Sequence, residues 1–222
     1  MSKKYEFVPG DEITIAPGRT VKRIRALVAI SCFASAGSLG GYIESEKSLS
    51  QDGDAWVSGN ARVSGNARVS GNAWVYGNAW VYGDAWVSGD ARVYGDARVY
   101  GDARVSGDAR VYGDAWVSGN ARVYGNAQVS GNAQVYGDGA IFWASKVGTA
   151  NGTLTIYNSK TGDLVATRGC FIGTIDQFLA KSKAEHDDAT HLEYRLLIEV
   201  AHSRISRYIA ANQAPVETAS AA

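Results

Sequence analysis

The sequence predicts an all-β solenoid, a parallel β-helix closed by a cap at each end, and three observations carry that prediction. From Asp54 to Gly137 the chain repeats Asn/Asp–Ala–x–Val–x–Gly fourteen times without a break; the first variable position is Trp, Arg or Gln, the second only Ser or Tyr. The chain holds 26 glycines against three prolines, and evenly spaced glycine without proline marks a repeat rather than a disordered linker. A six-residue unit is also several times shorter than that of any helical solenoid.

Each repeat is one short strand and one corner. Successive side chains of an extended stretch point to opposite sides. Ala55 and Val57 therefore share the inside, and Trp56 and Ser58 the outside. Gly59–Asn60 follows, a dipeptide tolerant of positive φ that lets the chain turn. Three corners make the smallest closed coil, so each strand stacks on the one 18 residues later in a parallel ladder with rungs about 4.8 Å apart. An aliphatic residue with a small residue two positions earlier, both inward, resembles the hexapeptide-repeat superfamily. That resemblance implies a left-handed, three-sided helix and, by analogy with its trimeric acyltransferases, a homotrimer.

The flanks read as caps, because a bare terminal rung is an open strand edge. An N-terminal β cap spans 1–41, the β-helix 42–139, a C-terminal α+β cap 140–210, and a disordered tail 211–222. Ile43 and Leu49 are two degraded rungs. Glu12–Ile15 and Val21–Ile30 are expected strands joined by a turn at Ala16–Arg19. After the array come strands at Ala140–Val147, Thr153–Tyr157 and Leu164–Thr167, the last two forming a hairpin. Two helices follow, each opening on a capping box: Thr174 with Gln177, and Thr190 with Glu193. In the second, Leu192, Leu196, Leu197, Val200, Ala201, Ile205, Tyr208 and Ile209 make one apolar stripe, expected against the β-structure or another subunit. The blocks Gly18–Leu27, Leu39–Glu44 and Gly169–Thr174, with Phe178 and His186, resemble uncharacterised enterobacterial and prophage-encoded hexapeptide-repeat proteins. Those relatives imply a charged residue where Val28 and Ala29 stand here.

Charge and composition narrow the function. Lys+Arg equals Asp+Glu at 22 each, so no net field recruits nucleic acid or an anionic membrane. Lys22–Arg25, the apolar run Ala26–Phe33 and Ala34–Ala36 mimic a secretory signal, but the position is too internal and the run too short to span a bilayer. The run is read as a buried strand, and the chain as cytoplasmic, as two unpaired cysteines, Cys32 and Cys170, also suggest.

No catalytic or metal site is expected, and no cofactor. The superfamily's acyltransferases place a histidine in or beside the coils, and its carbonic anhydrases hold zinc with three. Here the array has no histidine; His186, His191 and His202 lie in the terminal helices. Cys170, His186 and His191 lack zinc spacing and read as cap residues beside a buried cysteine. Asp84, Asp90 and Asp96 stack over Asp102, Asp108 and Asp114; Arg92, Arg98, Arg104 and Arg110 are expected to balance them on the surface.

The outer faces carry the remaining signal. The first bears Trp56, Trp74, Arg92, Arg110 and Gln128, with a tyrosine ladder at Tyr76, Tyr94 and Tyr112. The second bears Arg62, Trp80, Arg98, Trp116 and Gln134, with Tyr82, Tyr100 and Tyr136. The third bears Arg68, Trp86, Arg104 and Arg122 beside Ser70, Ser88 and Ser106. Exposed Trp, Tyr and Arg are the residue types of binding hot spots. The expected binding surface is Trp74, Tyr76, Arg92, Tyr94, Arg110 and Tyr112; the expected contact between copies is Ser70, Trp86, Ser88, Arg104 and Ser106. The function read from this is a non-catalytic binding or assembly protein, a phage or prophage accessory factor with an unknown protein or small-molecule partner. The alternatives are an anti-defence protein that sequesters a host protein or nucleotide signal, and an acyltransferase-like enzyme with an inter-subunit site.

Overall fold

The computed structural model describes residues 3–212. Its N-terminal cap is β1 (Tyr5–Ala16), β2 (Arg19–Ala26) and β3 (Leu39–Ile43), with β2 in the middle and antiparallel to both neighbours. The array follows as strands β4–β17, from Trp56–Val57 to Gln134–Tyr136. The C-terminal cap is an antiparallel sheet of β18 (Ile141–Val147), β19 (Gly152–Asn158), β20 (Leu164–Arg168) and β21 (Phe171–Thr174), then α1 (Ile175–Glu185) and α2 (Asp188–Asn212).

The array is a three-sided parallel solenoid. Val93 pairs with Val75 and Val111, Val99 with Val81 and Val117, and Val105 with Val87 and Val123. The three faces are those expected from the repeat. Every array Ala and Val is buried, forming one continuous column. The corners stack as closely as the strands: Gly89 has φ +66°, and a Cβ there would lie 2.9 Å from the Gly107 nitrogen, so glycine is required for both conformation and approach. Ile43 pairs with Val63 and Leu49 with Val69, so both are rungs, reached through a longer connection than the array uses.

Both ends are closed by side chains that take over the ladder's unpaired groups. At the N-terminal end the Lys4 ammonium donates to the Ala55 and Gly53 carbonyls, at 2.9 and 3.2 Å, and Tyr5 Oη donates to the Leu49 carbonyl at 2.9 Å. Burial pulls the Lys4 pKa down to about 8, with Asp54 and Asp52 opposing. Arg19 and the Gly65 N–H both donate to Glu44, tying the first hairpin to a corner. At the other end Thr155 Oγ1 accepts from the Gln128 N–H, Thr167 Oγ1 donates to the Gln128 carbonyl at 2.7 Å, and Tyr157 Oη accepts from the Ser130 N–H.

Several expectations are corrected. Trp56 lies on the outer side of its strand but is 0 % exposed, because β3 covers it; a Cβ on Gly40 would lie 2.7 Å from its ring. β2 ends at Ala26, and of the run to Phe33 only Ala26 and Ile30 are buried, so this is a loop and not a buried strand. β21 was not foreseen. Thr174 and Gln177 form the capping box, but α2 starts two residues before Thr190, capped by Asp187, which accepts from the Thr190 N–H at 2.7 Å. Glu193 instead accepts from the Gly148 N–H. The packed face of α2 is Tyr194, Ile198, Ala201 and Ile205; Leu192, Leu196 and Val200 are exposed. Residues 211 and 212 continue α2, and the rest of the expected tail lies outside the described residues.

Candidate functional site

The outer variable positions are ordered by what lies one coil earlier. Trp74, Trp80 and Trp86 each donate their indole N–H to the serine 16 positions before, Ser58, Ser64 and Ser70, at 2.9, 3.1 and 3.0 Å. Each indole thus lies across two rungs, and the three make a girdle around one level of the solenoid. The signal was present in the spacing: a small residue sits 16 before each of these tryptophans, and Gly40 stands 16 before Trp56. Trp116 has Tyr100 at that spacing and is held differently, with Arg98 at 5.1 Å and Lys160 at 4.4 Å from its ring.

On the first face the expected binding residues come together as a stack. Trp74 and Tyr76 have ring centroids 4.0 Å apart, Tyr76 and Tyr94 4.7 Å, and Tyr94 and Tyr112 4.9 Å, the last two pairs parallel within 5°. Phe33, from the N-terminal cap, continues the stack onto Trp74 at 4.6 Å. Stacked this way, the rings cover one another's faces and stay half-buried, while Arg92 and Arg110 run exposed alongside. Burial raises the Tyr76 and Tyr94 hydroxyls, with Arg92 and Arg110 working against it. The second-face ladder is shorter than expected: Tyr82 stacks on Tyr100 at 4.9 Å, but Ser118 interrupts it and Tyr136 stands apart and exposed.

The third face is different. Trp86 is 45 % exposed, the only indole of the array in that class. Arg68, Arg104 and Arg122 share its column, and Ser88 and Ser106 are half-buried beside them, whereas Ser70 is engaged by Trp86. Among the described residues, Arg92, Arg98, Arg104 and Arg110 make no ion pair within 4.0 Å. The expected balancing of the corner aspartates by these arginines is therefore not direct. Asp84, Asp90 and Asp96 accept instead from Asn66, Asn72 and Asn78 one coil earlier, at 3.0 to 3.1 Å.

In the C-terminal cap Cys170 is exposed, not buried, in a turn. His186 packs against the Tyr194 ring, and His191 Nδ1 lies 3.2 Å from Ser182 Oγ. Among the described residues no three His, Cys, Asp or Glu side chains gather as metal ligands. Among the described residues no helix is long and apolar enough to cross a membrane.

The family model described as the YdcK beta solenoid repeat matches residues 55–71, 61–77, 73–89, 91–104, 103–119 and 115–131. These spans run along the array, overlapping except for a break at residue 90, and leave both caps unmatched. No curated protein matches the chain.

Proposed function

We propose that this β-solenoid repeat protein is a non-catalytic binding and assembly protein, a phage or prophage accessory factor that works in the host cytoplasm. One observation carries the reading: the stack Phe33–Trp74–Tyr76–Tyr94–Tyr112 beside Arg92 and Arg110. Aromatic and arginine side chains held on a rigid frame lose little entropy on binding, which is why they dominate interface energetics. The stack runs along one face over three successive coils, a long surface that suits a macromolecule better than a small ligand. The phage assignment rests on the resemblance of the flanks.

The test compares the wild type with a Tyr94→Ala, Arg110→Ala double variant, each immobilised and exposed to host extract. A species retained by the wild type, then purified and titrated, is expected to bind the variant at least tenfold more weakly. A species that binds both equally would move the partner surface off the first face. Self-association as a homotrimer through Ser70, Trp86, Ser88, Arg104 and Ser106 belongs to the same proposal. Light scattering should then report a multiple of the 23.5 kDa chain, and Trp86→Glu should dissociate it. A concentration-independent mass of one chain would remove the assembly part.

A further inference from the structure

A groove at the N-terminal end of the third face has no part in the first-face reading. The short 3-10 turn Glu46–Ser48 borders the first rungs there and leaves two adjoining recesses of about 400 Å3 each. Lys47, Arg68 and Trp86 line both, and Arg104 lines one. Each volume falls within the range of small-molecule sites.

The chemistry of the walls is specific. Trp86 is pinned by its bond to Ser70 and remains 45 % exposed, so a fixed indole is available to a flat ring. Among the described residues no carboxylate lies within 4.0 Å of Lys47, Arg68 or Arg104. Two acidic residues also line the recesses. Glu46 is paired with Lys3 at 2.8 Å, and Asp84 accepts from Asn66 at 3.0 Å. The cations therefore outnumber the one carboxylate left without a cationic partner. A guanidinium fork and an ammonium suit a dianion with several oxygens, and an exposed indole suits a base, which stacks without regard to sequence.

We propose that this groove binds a nucleoside monophosphate, its base on Trp86 and its phosphate between Lys47 and Arg68. Ser70, Trp86 and Arg104 also belong to the proposed contact between copies, so the ligand and a second copy compete for Trp86, whereas Lys47 and Arg68 lie outside that contact. Variants at those two positions therefore separate ligand binding from self-association.

The experiment is calorimetric titration of the full chain with AMP, GMP, CMP and UMP, and with adenosine and inorganic phosphate alone. At least one monophosphate is expected to bind once per chain, tenfold or more tightly than adenosine or phosphate. A Lys47→Ala, Arg68→Ala variant, and Arg68→Gln as a milder check, should weaken it at least tenfold and fivefold with melting and mass unchanged. Three outcomes would overturn the proposal: no monophosphate binding at millimolar concentration, adenosine or phosphate binding as tightly, or undiminished binding by the double variant.

Discussion

Arg98 and Val99 are chain neighbours with opposite surroundings. Val99 is sealed in the column between Val81 and Val117, while Arg98 is exposed with Trp116 beneath it. A carboxylate at Val99 would be buried without a partner, a cost of several kcal/mol. Arg98→Ala loses a cation–π contact of roughly 0.5–1 kcal/mol. Thermal melts should therefore show Val99→Asp unfolded or severely destabilised and Arg98→Ala close to wild type; equal tolerance would invalidate the inside–outside assignment. That alternation was legible because a period of two inside a period of six leaves each residue one side only. The burial of Trp56 was hinted at only by Gly40, 16 positions earlier, since β3 lies in a cap whose pairing with the array no repeat announces. The Trp–Ser bonds were legible in principle, at a spacing of 16 rather than the 18 of the ladder.

Single elements owe their stability to what stacks on them. Two-residue strands are too short to persist alone, and the tyrosine ladders add ring-on-ring packing along the faces. Burial raises the hydroxyls of Tyr76, Tyr82 and Tyr94, whereas unfolded tyrosines ionise near pH 10. Above about pH 10 the folded state thus binds more protons, and stability, complete below that pH, falls as pH rises through the folded values. Melting followed from pH 8 to 12 should show this alkaline decline, and Phe at 76, 82 and 94 should flatten it. Identical curves would mean that the ladders contribute nothing through their ionisation. Helix α2 shows where sequence reading of an element ends. Its apolar residues admit two phases, Leu192–Leu196–Val200 and Tyr194–Ile198–Ala201–Ile205, and the second is packed because Tyr194 meets Phe178 at 5.1 Å. Counting apolar residues cannot choose between faces that a neighbouring helix decides.

At the scale of the molecule, the account makes the array a stack of interchangeable 18-residue coils between two caps that each satisfy an open edge with side chains. The stack was legible from its repeat; the closures by Lys4, Thr155, Tyr157 and Thr167 were not, because they join segments far apart in sequence through single polar atoms. The chain supplies its own probes of this arrangement. Its two cysteines, Cys32 in the N-terminal cap and Cys170 in the C-terminal cap, are both exposed. Deleting one coil, Asp90–Gly107, sets Tyr112 on Tyr76 and leaves both caps on their own rungs. The most direct measurement is the distance between spin labels on Cys32 and Cys170, in labelled protein diluted with unlabelled chain. The deletion should shorten it by no more than one rung, about 4.8 Å, with the distribution as narrow as in the intact protein, and duplicating the same coil should lengthen it by a similar step. A change approaching the contour length of 18 extended residues, roughly 60 Å, or a broadened distribution in both variants, would contradict the stacked-coil architecture.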